Sequence, residues 1–417
     1  MIRHLISTML WLPRHLYSEL NSGIEEHFRS IVGKVSLAIF VTKIKKDPIH
    51  DFIKLLEAKH GVVTQHVCTA TVMACCQNRA RIIENVLLKM NVKCGGINHV
   101  VLPTAVALGN RTSQRDMDGR IFGGKMFVGF ELSHPAAQSL YSRQNKQALK
   151  EPTVIGFAYS TGLPTDYTGR WWYQKPRLSK IQYIRNYFGT AFTDYFNQNK
   201  SLPTEIVVYR SGASEGEFCQ VEEEANEIRA AAESMRDMNN GKNYRPRITV
   251  IVAQTKSNYR IIPASLARER DHNLKASQAN VPSGTCVDAD IVSPRFKEFI
   301  MASQQPNIGT SRPVRYTIVV EDGPGRSVSE AEHITHFLCH GHQQSVLPTR
   351  VPAILYAAEN LAKRGRSAWM TKLNADFNEK ASMSPLRVSL TGDESEAEFY
   401  IRISRELMNS LPNHYFA

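Results

Sequence analysis

The sequence predicts an α/β protein built as two blocks, and three observations carry that expectation. From residue 34 onward, short apolar strand-like runs alternate with helical segments. Near Lys125 a second set begins, with buried-strand runs and longer helices. Between them, residues 108–124 are polar and Gly-rich, as a connection between two units would be.

In chain order, residues 1–33 read as helical and are the least informative part. Residues 35–41 (Val-Ser-Leu-Ala-Ile-Phe-Val) form a strand signal. Residues 49–60 carry apolar positions at helical spacing and stop at Gly61, and 62–68 is again strand-like. A helix over 80–91, a turn at Gly95-Gly96 and a strand over 97–102 complete a βαβα alternation, which predicts a mostly parallel sheet. In the second block, strands are predicted at 126–130, 153–159, 205–209, 248–253 and 315–320. Helices are predicted at 178–197, 217–238, 327–339 and 352–364. Residues 271–283 read as a surface loop.

The chain has 417 residues, room for two or three domains, and 51 Lys and Arg against 39 Asp and Glu give a formal charge of +12. That excess points first to nucleic acid and second to an anionic membrane surface, with charge spread for solubility as the alternative. No stretch approaches the run of about 18 apolar residues that spans a bilayer. The Arg3-His4 pair before Leu5–Leu12 only weakly resembles a signal peptide and lacks a small-residue cleavage site. Seven cysteines without a repeated Cys-x-x-Cys spacing support neither a disulfide framework nor a zinc ribbon, and read as reduced and intracellular.

Chemistry-bearing motifs lie in both blocks. Tyr209-Arg-Ser-Gly-Ala-Ser-Glu-Gly-Glu-Phe218 reads as a strand, a sharp turn and a helix start, which alone is only a strand–helix connection. It is accompanied by Glu131-Leu-Ser-His-Pro135, Arg245-Pro-Arg-Ile-Thr-Val-Ile-Val252, Gly309-Thr-Ser-Arg-Pro313 and the terminal His414-Tyr-Phe-Ala417. Upstream, His50 and Lys54 are spaced i, i+4 on one helical face, followed by Gln65, Lys89 and Lys93. Ammoniums and an amide supply donors to a phosphate, and an imidazole can stack on a base or donate as a cation. The same spacing also occurs on ordinary solvated helices.

The order and spacing of these motifs resemble the Argonaute family from about Val35 to Ala417. The resemblance implies a MID domain with a Rossmann-like parallel sheet over 34–115, followed by a PIWI domain with an RNase H-like fold over 116–417. Residues 1–33 would be a helical remnant or linker. It also implies that a small guide RNA is held by its 5′ phosphate on His50, Lys54, Gln65, Lys89 and Lys93, joined by Arg364 of Ala362-Lys-Arg-Gly-Arg366 and by the carboxylate of Ala417. Histidine at position 50 departs from the family's usual aromatic residue and resembles the worm-specific secondary Argonautes, whose guides carry a 5′ triphosphate.

PIWI domains that cut RNA place two Mg²⁺ ions on acidic ligands with a final His or Asp. By the resemblance those positions are Glu131, a residue close to Ser179, Ser211 and Glu359. A serine hydroxyl has no charge to neutralise a divalent ion, and Glu131 carries its carboxylate one methylene further out than aspartate would. The expectation is therefore a silencing protein that does not cleave and needs no metal for cleavage, although Mg²⁺ can accompany the phosphate in the 5′ pocket.

Its expected partners are the guide, a complementary target RNA and silencing effectors, with no membrane, in cytoplasm or nucleus. An endoribonuclease with an unusual ligand set, or a reduced one-metal site on Glu131 and Glu359, remains the enzymatic alternative. A protein-interaction platform without RNA would need no such cluster of phosphate donors. The family's N-terminal and PAZ domains find no counterpart in residues 1–33. A truncated isoform, an incomplete gene model and a short protein all stay open, and retention of the guide's 3′ end is expected to be poorer.

Overall fold

Helix α1 (Tyr17–Ile31), strand β1 (Ala38–Thr42), helix α2 (Ile49–His60), strand β2 (Thr64–Cys68) and helices α3 (Thr69–Cys76) and α4 (Ala80–Lys93) build the first block. They belong to a computed structural model that describes residues 17–45, 47, 49–103, 119, 121–137, 151–236, 238, 240–264, 275–306, 308–325, 327–379, 395–408 and 415–416. Strands β1 and β2 pair in parallel, from Ala38 opposite Thr64 to Thr42 opposite Cys68. The crossover between them is α2. Asp47 accepts the Ile49 amide at 3.1 Å at its start, and Gly61 closes its other end at φ 68°, a left-handed turn that favours glycine. Ile24 and Phe28 of α1 pack on Ile53, Leu56 and Val62.

The expected third strand, residues 97–102, does not form. Its backbone donors are taken elsewhere: the Asn98 amide donates to the Gln343 side chain at 2.8 Å, and the Asn98 side chain donates to the Gln343 carbonyl at 2.6 Å. This segment is therefore a seam between the blocks.

The second block is an eight-stranded sheet. Its strands are β3 (Lys125–Ser133), β4 (Thr153–Ser160), β5 (Tyr167–Gln174), β6 (Glu205–Ser211), β7 (Arg247–Gln254), β8 (Thr285–Val287), β9 (Lys297–Ala302) and β10 (Val314–Glu321), in the order β5-β4-β3-β6-β7-β10-β9-β8. Pairs β3–β6 and β6–β7 are parallel, and the remaining pairs are antiparallel. Its helices are α5 (Ile184–Asn199), α6 (Phe218–Glu233), α7 (Ala276–Ala279), α8 (Val328–Cys339), α9 (Ala353–Glu379) and α10 (Glu396–Leu407). Phe188, Phe192, Val221 and Ile228 of α5 and α6 cover one face, while Ile334, Ile354, Leu361 and Ile403 of α8, α9 and α10 cover the other. The central strands are buried on both faces and so read as continuous apolar runs.

The position of α9 depends on two glycines. A Cβ at Gly156 would lie 1.9 Å from the Ala358 carbonyl oxygen, and one at Gly129 would lie 2.5 Å from that of Ile354. Their absence lets the helix backbone settle on the sheet, and this close approach fixes where Glu359 and Arg364 point.

Several boundaries differ from the sequence expectation. Helix α5 starts at Ile184 rather than 178, because the Gln174 amide holds the carbonyls of Leu178 and Lys180 at 2.9 and 3.0 Å. Helix α9 runs well past 364. The 271–283 segment is no surface loop where it is described: Asn280 and Val281 are buried, and the Asn280 side chain accepts the Ser311 amide at 2.6 Å. Residues 104–118, most of the expected inter-block connection, lie outside the described residues, as does Ala417.

Candidate functional site

Helix α2 projects His50, Lys54 and Glu57 from one face, at i, i+4 and i+7. Facing them, β2 supplies Thr64 and Gln65, the last turn of α4 supplies Lys93, and α9 supplies Arg364 from the second block. Lys54 is 7 % exposed, Lys93 4 % and Glu57 1 %. The Lys54 ammonium donates to the Thr64 carbonyl at 2.8 Å and the Thr64 hydroxyl at 2.6 Å, and lies 2.9 Å from the Glu57 carboxylate. Lys93 reaches the same carbonyl at 3.0 Å and the Gln65 amide oxygen at 2.9 Å. The Arg364 guanidinium stands 3.7 Å from Glu57.

Two buried ammoniums thus share one carbonyl, with a guanidinium close by. Burial pushes the Lys54 ammonium down to about 8, helped by the charge of Arg364, and it drives Lys93 well below the usual lysine range. Such a cluster is short of negative charge and suits an anion.

The sequence-predicted residues are only partly brought together. Lys54, Gln65, Lys93 and Arg364 converge. Lys89 is exposed one turn before Lys93. His50 lies at the rim, its Nδ1 3.0 Å from the Asp51 carboxylate. Ala417 is not described, but Tyr415 is buried and lines a cavity of about 10 Å³ together with Lys54, Glu57, Trp171 and Arg364. That volume holds about one water.

Two contributors escaped the sequence reading. Glu57 looked like an ordinary helix carboxylate, though its place on the His50–Lys54 face was a usable signal. His66 meets His50 edge to face, with ring centroids 5.1 Å apart, and its Nε2 lies 2.6 Å from the Thr42 hydroxyl. The alternation of β2 put His66 on the strand face opposite Gln65, so its proximity to His50 was not readable from spacing.

The second constellation sits where β3 and β6 run side by side. Phe130 pairs with Arg210 in that register, which sets Glu131 beside Ser211. Burial raises the Glu131 carboxyl, opposed by a hydrogen bond from Ser211, while the charge of Glu359 raises it further. Glu359 is tied to Lys363 at 2.7 Å on the same helix. Arg210 is buried, pairs with Glu224 at 3.3 Å and donates to the Ser179 carbonyl at 2.6 Å, so the segment carrying Ser179 borders the same place. Among the described residues, no three His, Cys, Asp or Glu side chains are grouped to hold a metal ion.

A Piwi domain family model matches residues 36–370. Nuclear RNAi defective-3 protein of Caenorhabditis elegans is 33 % identical over 354 residues, covering 84 % of this chain and 32 % of that protein. Argonaute protein wago-1 of the same organism is 28 % identical over 338 residues, covering 81 % of this chain and 33 % of that protein. The chain therefore spans about a third of the length of these curated relatives.

Kluyveromyces polysporus Argonaute with a guide RNA superimposes with a TM-score of 0.74 at 19 % identity, over 96 % of this chain and 44 % of that one. The MID-PIWI domains of N. crassa QDE-2 superimpose with a TM-score of 0.54 at 17 % identity, over 95 % of this chain and 84 % of that one. The family match and the common fold agree with the motif order, and the chain belongs to the Piwi-domain family as an Argonaute MID–PIWI portion.

Proposed function

We propose that this chain grips the 5′-phosphorylated end of a small guide RNA between its first and second blocks and silences complementary RNA without cutting it. One observation carries the reading: Lys54, Gln65, Lys93 and Arg364, which come from four separate elements, converge in one largely buried cluster whose cations outnumber its carboxylates. Buried cations without an anion are costly, and a phosphate supplies charge and acceptors together. Protein contacts of this kind position the guide's backbone, and base pairing then reads the target. In this reading residues 34–115 act as the MID domain and 116–417 as the PIWI domain, with 1–33 as a lead-in segment.

The absence of cutting rests on residue chemistry. Ser211 offers no charge to a divalent ion, Glu359 is engaged by Lys363, and the Glu131 carboxyl is buried towards its neutral form. At the 5′ pocket the donors are ammoniums, a guanidinium and an amide, which meet phosphate oxygens directly. Glu57, the buried carboxylate here, is already held by Thr64, Lys54 and Arg364, so an Mg²⁺ ion accompanying the phosphate would draw on the oxygens of the phosphate itself. His50 at the rim supplies an imidazole that suits a guide with additional 5′ phosphates, beside His66, which burial holds towards its neutral form. The nuclear RNAi in the name of one relative makes the nucleus the site we assign, with effectors recruited there. No helix of the described residues is long and apolar enough to cross a membrane.

Sequencing the RNA that copurifies with the chain, with its 5′ chemistry determined, tests the reading. Small RNAs with phosphorylated 5′ ends are expected. Recovery of unselected fragments with 5′ hydroxyls, or specific cleavage of a target opposite the guide's middle in Mg²⁺ or Mn²⁺, would replace it.

A further inference from the structure

Glu57 stands at the centre of the pocket, and a phosphate-binding role gives no reason for a carboxylate there. Its side chain is 1 % exposed. One oxygen accepts the Thr64 amide at 2.6 Å, and the other faces the Lys54 ammonium at 2.9 Å and the Arg364 guanidinium at 3.7 Å. Lys93 joins the group through the Thr64 carbonyl that it shares with Lys54. Asp51, one and a half turns earlier on α2, is largely exposed and pairs with His50. Among the described residues Glu57 is thus the buried carboxylate of this cluster.

A peg for the Thr64 amide could have been neutral, since a glutamine or serine oxygen accepts an N–H equally well. A buried charge does something a neutral acceptor cannot: it opposes every other anion that approaches the same cations. The two cations on its free oxygen come from different blocks, Lys54 from α2 and Arg364 from α9, so Glu57 is also their common counter-ion across the junction when no RNA is bound.

We propose that Glu57 is the specificity-determining residue of the 5′-end pocket. It is a resident carboxylate that holds Lys54 and Arg364 in the free protein, competes with the incoming 5′ phosphate for them, and so sets how strongly a charged end is favoured over an uncharged one. The proposal rests on the 5′-end reading given above. Removing the charge while keeping the shape is expected to sharpen discrimination. Removing a residue that merely builds the pocket would blunt it.

The test compares the full chain with its Glu57→Gln and Glu57→Asp variants. Each is titrated with one RNA sequence carrying a 5′ hydroxyl or a 5′ monophosphate, and the ratio of the two Kd values is read. Glu57→Gln is expected to raise the preference for the phosphate by about tenfold or more, the scale set by one unit charge acting over several ångströms in a partly buried site. Glu57→Asp, which keeps the charge, is expected to stay near the wild-type ratio. A wild-type preference that Glu57→Gln leaves unchanged or lowers overturns the role of Glu57 and leaves the pocket standing. Absence of any preference in the wild type removes the pocket and this proposal together.

If Glu57→Gln does not fold alone, the same question passes to its thermal melting with added inorganic phosphate. Stabilisation by phosphate well beyond that of the wild type supports the proposal. Stabilisation no greater than the wild type overturns it.

Discussion

Arg364 and Glu57 face each other at 3.7 Å across the junction of the two blocks, the guanidinium on α9 and the carboxylate on α2. Both are anchored independently. Gly129 and Gly156 let α9 lie directly on the large sheet, and Asp47 and Gly61 bound the helix that carries Glu57. An Arg364→Ala variant is expected to weaken binding of a 5′-phosphorylated RNA by about 10- to 100-fold, the worth of one charge-assisted contact, and to leave 5′-hydroxyl RNA nearly unaffected. Competition binding with the two RNAs reads the difference. Equal losses for both would show that Arg364 only holds the junction together.

Proton linkage gives a second expectation. Burial holds Lys54 at about 8 and drives Lys93 well below the usual lysine range, whereas both titrate near about 10.4 in an unfolded chain. Between these values the folded protein binds fewer protons than the unfolded one, so the RNA-free protein gains stability from these groups as pH rises from about 8 to about 10. A bound phosphate favours the charged ammoniums, so binding takes up protons and the 5′-phosphate preference declines as pH passes about 8. Calorimetry in two buffers of different ionisation enthalpy at about pH 8 would detect the uptake. Its absence would mean that the lysines stay fully charged in the free protein.

Close packing of α9 on the sheet is tested at Gly156. The Cβ of Gly156→Ala would sit 1.9 Å from the Ala358 carbonyl oxygen, between backbone and backbone, where no side chain can swing away. A loss of about 3 kcal/mol or more is expected in urea unfolding, together with weaker guide binding, because Arg364 moves with the helix. Normal stability would mean that α9 can lift at no cost.

Where β3 and β6 bring Glu131 beside Ser211, Glu131→Gln separates a structural from a metal-binding role. The Glu131 carboxyl is raised by burial, so the folded state favours its protonated form, and the stability drawn from that form is lost as pH climbs above the ordinary carboxylate range. The neutral variant is therefore expected to melt higher than wild type at about pH 7 and nearly equal to it at about pH 4. A variant less stable at neutral pH, with wild-type melting that responds to Mg²⁺ or Mn²⁺, would show that Glu131 still serves a metal.

In the second block the strands β3, β4, β6 and β7 were legible because near-continuous buried apolar runs leave little helical alternative, while β1, β2 and β10, only partly buried, were legible from their strand-like composition. Strand β5 was missed because Gly169 and Arg170 break the run before Trp171 and Trp172, and its aromatic side chains read as strand only once β4 is beside it. Residues 97–102 had strand composition but no neighbouring strand, and the Gln343 side chain that captures them lies more than two hundred residues away. At the site, spacing alone left Lys54, Gln65 and Lys93 compatible with ordinary surface positions, and it was the order of motifs along the chain that nominated them. The carboxylate that joins Lys54 to Arg364 shares the helical face of Lys54 in the sequence, but its burial is set by β2 and by α9, which the helix sequence alone does not show.

The central claim is that the buried cations exist for a terminal phosphate. The most direct measurement is the Kd of the wild-type chain for one small RNA with a 5′ monophosphate and with a 5′ hydroxyl, at about 0.15 M salt, where long-range attraction to the backbone is screened. The phosphorylated RNA is expected to bind at least about tenfold more tightly, as two or more charge-assisted contacts require. Equal affinity for both ends would contradict the account.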